Sequence, residues 1–186
     1  MILAGGASAR MGEHKPFIPF RGATLIEAVI GRAKPQVSAL AIDVSPSLVE
    51  SYRSRLNETV IPDVYAEALG PLCGIVTGLA WCETEWLATF PCDTPFLPND
   101  LVAQLAKSAD NLPVVARGAQ ICGLWPKSCL AQLKHGIESG ALRSVMGAVE
   151  FFGGKAVDID SGENAFFNIN TPDDLKTAEA FSPLSP

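Results

Sequence analysis

Charge is scarce in this sequence and nowhere concentrated. Lys, Arg, Asp and Glu make up 18% of the 186 residues, and the formal net charge is −6. Nucleic-acid binders usually carry a basic face; here no run of Lys and Arg exists to build one, and none is expected to meet nucleic acid. Only two histidines are present, His14 and His135; both read as exposed residues without a catalytic role. The five cysteines (Cys73, Cys82, Cys92, Cys122, Cys129) form no C-x-x-C pair, which argues against a zinc ribbon or a dithiol redox motif. An odd count without a secretory signal fits reduced thiols, so a cytoplasmic protein is expected. No apolar stretch reaches the ~18 residues a membrane span needs. Repeats, low-complexity tracts and linkers are also missing. One domain over residues 1–186 is therefore expected, with a Pro-containing tail from about 182 that frays.

What is present is an alternation of short apolar runs with helix-length amphipathic segments, the pattern of an α/β fold. Residues 1–4 read as the end of a first strand. Thr24 with Glu27 three residues on predicts a capping box opening a helix. Residues 37–44 predict a second strand, after which Ser45 caps a helix beginning at Pro46 and running to about Leu56. Residues 59–61 predict a short strand, 71–82 a helix and 86–90 a buried strand. Residues 99–108 read as a helix. Two strands, 114–116 and 121–125, turn around Gly118. Helices follow over 127–138 and 142–149, then strands over 156–159 and 166–169. A last helix has Thr171 as its cap, Pro172 at its first position and Asp174 at its third.

Three blocks stand out as chemistry. The first is the loop Leu3-Ala4-Gly5-Gly6-Ala7-Ser8-Ala9-Arg10-Met11-Gly12, followed by Lys15. Gly5 and Gly6 let backbone approach a ligand closely and take positive φ, so their N–H groups can line an anion-binding concavity. Arg10 and Lys15 add positive charge that suits phosphate. The loop is neither a P-loop nor a G-x-G-x-x-G fingerprint. The second block, Pro91-Cys92-Asp93-Thr94-Pro95, sets one carboxylate directly after a buried strand, where open α/β sheets bind ligands. A hard oxygen there suits Mg²⁺, although a turn carboxylate satisfying local N–H groups has the same pattern. The third is Asn168-Ile169-Asn170-Thr171-Pro172-Asp173-Asp174-Leu175. Its two asparagines either ligate or merely tie the helix start to the sheet.

Together these blocks resemble the molybdenum cofactor guanylyltransferases, the MobA family within a wider superfamily of nucleotidyltransferases. The likeness runs from Leu3 to Leu175. It includes Gly70-Pro71-Leu72-Cys73-Gly74, which is similar to the family's Gly-Pro-Leu-x-Gly. The resemblance implies a three-layer αβα sandwich, Rossmann-like with a mostly parallel sheet. It implies transfer of GMP from GTP to Mo-molybdopterin, with Mg²⁺ as cofactor. Leu3, Ala4, Gly5, Gly6 and Lys15 would bind nucleotide, and Arg10, Lys15 and Asp93 would be catalytic. Asp93 and Asn170 would hold the metal. Asp63 would read the guanine, whose N1–H and N2–H₂ donors suit a carboxylate. Asp43 stands where the family often has Asn, and would also accept from guanine. Gly140 to Ser144, with Arg143, would lie toward the pterin's phosphate, whereas Trp125 reads as core. Transient contact with proteins that supply molybdopterin or receive the cofactor is a further implication. Removal of the Asp93 carboxylate is expected to abolish turnover with the fold retained. Two readings compete: a cytidylyltransferase or another small-molecule nucleotidyltransferase, and a non-catalytic nucleotide-binding regulator. Gly5-Gly6 and Asp93-Thr94-Pro95, where cytidylyl relatives tend to show Ala-Gly and Asp-Gln-Pro, favour the guanylyl reading.

Overall fold

The structure is a computed structural model that describes residues 1–5, 15–65 and 70–181. Strand β1 (Ile2–Leu3) leads to a short hairpin, β2 (Pro19–Phe20) and β3 (Ala23–Thr24), and then to α1 (Leu25–Ala33). Next come β4 (Ala41–Val44), α2 (Val49–Arg53), β5 (Thr59–Pro62), α3 (Pro71–Trp81) and β6 (Trp86–Pro91). The second half holds α4 (Leu101–Ala106), β7 (Val114–Ala116), β8 (Ala119–Pro126) and α5 (Leu130–Glu138). It closes with α6 (Val145–Phe151), β9 (Lys155–Val157) and α7 (Pro172–Ala180).

Among the described residues the main sheet has seven strands in the order β5-β4-β1-β6-β8-β7-β9. β5, β4, β1 and β6 run parallel, β8 is antiparallel to both β6 and β7, and β7 pairs in parallel with β9. Side chains leave the strands alternately, and each face meets its own set of helices. Ile2, Ile42, Val44, Phe90 and Leu124 pack with α1, α2 and α4. Met1, Ala41, Leu87, Val115 and Trp125 pack with α3, α5 and α6. The result is the three-layer αβα sandwich, its two cores separated by the period-2 pleat. Asp43 shares the parity of Ala41 and so faces α3.

The chain steps outward from β1 to β4 and β5, then returns to lay β6 on the other flank of β1. The order reverses there, and such a switch point opens a crevice beyond the carboxyl ends of the parallel strands. Gly5, Asp43, Asp63 and Asp93 all lie at those ends.

The sequence and the structure part company in a few places. The second strand forms only over Ala41–Val44, because a 3-10 turn at Lys34–Gln36 prolongs α1 and residues 37–39 bend. Ser45 does not cap a helix with its side chain. A 3-10 turn, Pro46–Leu48, precedes the short α2, and the Ser45 hydroxyl donates instead to the Gly5 carbonyl at 3.1 Å. Residues 166–169 join no ladder. Ile169 is fully buried, which explains the strand-like apolar pattern, but its N–H makes one isolated bond to the Asp93 carbonyl at 3.0 Å. The β2–β3 hairpin has no counterpart in the sequence reading; its turn places both Arg21 (φ 50°) and Gly22 (φ 84°) in the left-handed region, as two-residue hairpins require. Both capping boxes, Thr24 with Glu27 and Thr171 with Asp174, form as the sequence predicts. Among the described residues no helix is long and apolar enough to cross a membrane.

Candidate active site

The crevice has two ends of opposite electrical character. At the first, Lys15 enters from the short 3-10 turn Lys15–Phe17 and is nearly enclosed, with 8% of its side chain exposed. Its ammonium donates to Asp93 Oδ2 and to Asn170 Oδ1, both at 2.8 Å. An ammonium has three donors, so with two bonds made among the described residues one is left for a ligand. The Asp93 side chain keeps 21% of its surface, which leaves it accessible to an incoming group. Its backbone is held by the Ile169 N–H, which fixes the β6 end against the segment leading to α7.

The two asparagines have separate jobs. Asn168 Oδ1 accepts from the buried Thr94 hydroxyl at 2.5 Å, which stitches the Asn-x-Asn segment to the end of β6. Asn170 instead points its oxygen at Lys15, while its own N–H donates to Asp174 Oδ2 at 2.9 Å. One member of the pair is thus a structural tie and the other faces the charged node. Cys92 lies beside this node, but burial, with the neighbouring Asp93 charge, pushes its thiol up to about 12. It is therefore a packing residue rather than a nucleophile.

The donor set suits a hard divalent cation. Two hard oxygens, one from a carboxylate and one from an amide, converge on a single positive charge, that of Lys15. One or two protein oxygens completed by phosphate and water are what Mg²⁺ commonly takes. Among the described residues no cluster of three or more His, Cys, Asp and Glu side chains forms an all-protein cage.

At the other end two carboxyl groups meet across Gly5. A Cβ at Gly5 would lie 3.1 Å from Asp43 Oδ2 and 3.5 Å from Asp63 Oδ2. Close approach rather than backbone twist therefore favours glycine here: Gly5 is not among the glycines with positive φ, contrary to the sequence expectation. Asp63 is well supplied with donors. Its Oδ1 accepts from the Tyr65 N–H at 3.0 Å and from the Thr77 hydroxyl at 3.1 Å, which leaves Oδ2 directed toward Gly5. Asp43 is not so supplied. It is 2% exposed, and its Oδ1 has no hydrogen-bond partner among the described residues. Burial, and then repulsion from Asp63, pushes its carboxyl up to about 7.

Helix α3 is shaped to this pair. Gly70 (φ 88°) precedes Pro71 at the first helical position, a start that only glycine reaches without strain. A Cβ at Gly74 would lie 2.6 Å from Asp43 Oδ2 and 2.9 Å from Leu3 Cδ2. The Gly-Pro-Leu-x-Gly motif thus starts the helix with one glycine and makes room for the Asp43 carboxyl with the other. One turn on, Thr77 is 2% exposed and accepts from the Val64 N–H at 3.0 Å while it donates to Asp63.

The structure brings Lys15, Asp93 and Asn170 into one node, and Gly5, Asp43 and Asp63 into another. Leu3 and Ala4 contribute register: Leu3 pairs with Asp43 and Pro91, and the Ala4 N–H donates to the Asp43 carbonyl at 2.9 Å. Gly6 and Arg10, both singled out from the sequence, lie outside the described residues, as does His14. His135 is exposed on α5, and Arg143 is exposed with its Nε on the Gly140 carbonyl at 3.0 Å. Trp125 is fully buried, as a core residue should be. Sequence reasoning had Gly74 only as part of a motif and a tie as one of two readings for Asn168; it missed Thr77, the room Gly74 makes for Asp43, and Thr94 as the partner of Asn168. A glycine and a threonine facing β4 and β5 from the first two turns of α3 were the available signal.

Comparison with known proteins follows the same lines. The profile of the MobA-like NTP transferase domain matches residues 1–151. Molybdenum cofactor guanylyltransferase of Mesorhizobium japonicum is 35% identical, over 96% of this chain and 92% of its own length. The enzyme of that name from Cupriavidus pinatubonensis is 36% identical, over 97% and 95%. Among solved structures, molybdopterin-guanine dinucleotide biosynthesis protein A from Archaeoglobus fulgidus superposes with a TM-score of 0.79. It is 24% identical and covers 96% of this chain and 95% of its own, a likeness of fold.

Proposed function

The chain belongs to the family of MobA-like NTP transferase domains, and on that premise we propose that it is a molybdenum cofactor guanylyltransferase. It moves GMP from GTP to Mo-molybdopterin and releases pyrophosphate. The observation that carries this reading is the pairing of a phosphate-suited node, Lys15 with Asp93 and Asn170, with a carboxyl pair, Asp43 and Asp63, at the same end of one parallel sheet. We take residues 1–186 as one domain, and the cytoplasm as the compartment of its substrates. Proteins that deliver molybdopterin or receive the product would meet it transiently.

In the reaction the terminal phosphate oxygen of molybdopterin attacks the α-phosphorus of GTP. A new P–O bond forms as the bond to the β-phosphate bridging oxygen breaks, and pyrophosphate leaves with the electron pair. The attacking group is already an anion, so no general base is needed. Such transfers depend on positioning and charge neutralisation more than on covalent help. The Lys15 ammonium, fixed by two acceptors, offers its remaining donor to phosphate oxygens without reorganising. Arg10 is assigned to the same triphosphate. Asp63, oriented by Thr77 and the Tyr65 N–H, accepts from the guanine edge. Asp93 and Asn170 would hold the metal, for which we propose Mg²⁺; when bound it neutralises phosphate charge.

Calorimetric titration with GTP, CTP and ATP, each with Mg²⁺, tests the reading, followed by pyrophosphate release in the presence of molybdopterin. GTP is expected to bind at least tenfold more tightly than the others, with the preference lost in Asp63→Ala. A preference for CTP or ATP would overturn the guanylyl assignment.

A further inference from the structure

The base end of the crevice contains a feature that nucleotide binding alone does not explain. Asp43 is buried, yet among the described residues its Oδ1 has no donor, and its Oδ2 is wedged between the Gly5 and Gly74 backbones beside Asp63 Oδ2. A buried carboxylate without donors is costly, and two ionised carboxylates side by side are costlier. The groups around it do not offset this. Among the described residues they are Asp63 beyond β5 with the Thr77 hydroxyl that donates to it, Gly74 of α3, Ser45 after β4, and Gly5 and Leu3 at β1, and none of these is a cation. The Thr77 hydroxyl is committed to Asp63, and that of Ser45 to the Gly5 carbonyl. The Tyr65 phenol, which feels both Cys73 and Asp63, has no hydrogen-bond partner among the described residues.

We propose that Asp43 and Asp63 hold one proton between them in the free protein, carried by Asp43, and that the guanine edge displaces it on binding. The inference rests on the guanylyl reading of the site and deepens it. Guanine alone among the common bases presents two neighbouring donors, N1–H and N2–H₂, on one edge. Two acceptor oxygens that both lie close to the Cβ position of Gly5, one from each carboxyl, match that edge. The proton balance closes simply. The Asp43 O–H bond breaks, its proton leaves to solvent, and a guanine N–H takes its place against the carboxylate. Cytosine and adenine each offer a single donor group next to an acceptor, so one carboxyl would meet a lone pair. The site then selects guanine partly by proton cost: only a ligand with two donors can afford both charges. In support, burial and the Asp63 charge hold the Asp43 carboxyl near neutral pH, where a small input of hydrogen bonding decides its state.

The test is calorimetric titration with Mg²⁺ and GTP at pH 6.5, in buffers of different ionisation enthalpy, on the whole protein and on Asp43→Asn. The wild type is expected to release close to one proton more per GTP than the variant. Its affinity should tighten by up to tenfold per unit as pH rises toward 7, and the variant should lack that added slope. The triphosphate titrates equally in both, so the difference isolates Asp43. A carbon-13 carboxyl NMR spectrum of the wild type at the same pH provides a second readout that needs no variant: the Asp43 signal moves from protonated to ionised on GTP addition. Proton uptake, or equal release by wild type and variant with an unmoved carboxyl signal, would overturn the inference. Failure of the guanylyl reading looks different, since another nucleotide would then bind best, whereas failure of the inference alone leaves GTP preferred with no extra proton released.

Discussion

The two ends of the crevice solve the problem of buried charge in opposite ways. At the Lys15–Asp93–Asn170 node the protein supplies both signs itself: an ammonium with 8% of its side chain exposed meets a carboxylate and an amide oxygen, each at 2.8 Å. At Asp43 and Asp63 the described residues supply one sign only, and leave Asp43 Oδ1 without a donor. The contrast fits what each end would receive in the proposed reaction. Phosphates and metal arrive as mobile charges, and a balanced node can hold its geometry until they exchange with its partners. A nucleobase arrives neutral and brings donors, so a site short of donors gains most from the base that has most of them.

Breaking the charged node should have the largest effect. Asp93→Ala leaves Lys15 buried with only the Asn170 oxygen, and stranding one partner of a buried pair costs about 3–5 kcal/mol. The expectation that the alanine variant keeps its fold therefore needs amending: Asp93→Asn is the cleaner probe, because an amide oxygen can still accept from Lys15. Pyrophosphate release by Asp93→Asn should fall by about 10³-fold or more, while the preference for GTP over CTP survives. Loss of that preference as well would show that the two ends are not separable.

The base end should respond to pH. Asp43 titrates near 7 in the folded protein against 3.8 ordinarily. Its pKa is raised, so between those values the folded state holds a proton that the unfolded chain has lost. Stability then falls as pH rises from about 4 toward 7 and is flat beyond. The difference approaches a few kcal/mol. Asp43→Asn, which cannot ionise, should therefore raise the melting temperature more at pH 8 than at pH 4, by about 2–4 °C per kcal/mol for a chain of this size. Equal shifts at both pH values would mean that Asp43 is solvated well enough to ionise freely. A smaller effect is expected from Gly74→Ala. Its Cβ would lie 2.6 Å from Asp43 Oδ2 and must push the carboxyl or the helix aside, at about 1–3 kcal/mol. GTP affinity should drop with stability in that variant, whereas an alanine at Gly31, where nothing lies within 4 Å, should leave both intact.

Much of this was legible from residues alone, for identifiable reasons. The capping boxes at Thr24 and Thr171 are local, and they formed as read. Asp93 could be placed because a carboxylate after a buried apolar run has few other positions open to it. The strand expected over 166–169 was misread because Ile169 is buried by packing against Phe20, Leu25 and Phe96 rather than by a ladder, and composition does not separate the two. Gly5 was assigned for its backbone freedom, but the structure needs its missing side chain. Which atoms a glycine makes room for depends on contacts with Asp43 and Asp63, 38 and 58 positions away, and no local pattern carries that. Thr77 escaped notice for the same reason: a threonine inside an apolar helix looks like a weak helix former until its partner, Asp63, is brought alongside.

That threonine supports the finest test of the comparison. Its hydroxyl donates to Asp63 Oδ1 at 3.1 Å and accepts from the Val64 N–H at 3.0 Å, so it sets the carboxylate's rotation without reaching the space beside Gly5. Thr77→Val preserves shape and removes both bonds, a change worth about 1–2 kcal/mol. If the hydroxyl only stabilised the fold, the melting temperature would fall and the affinities for GTP and pyrophosphate would be unchanged. If it orients Asp63, GTP should bind about five- to tenfold more weakly, with pyrophosphate affinity unaltered and Thr77→Ser restoring the loss. A weakening shared by pyrophosphate would mean that disturbance at the base end spreads to Lys15, and the division of the crevice into a balanced and an unbalanced half would have to be given up.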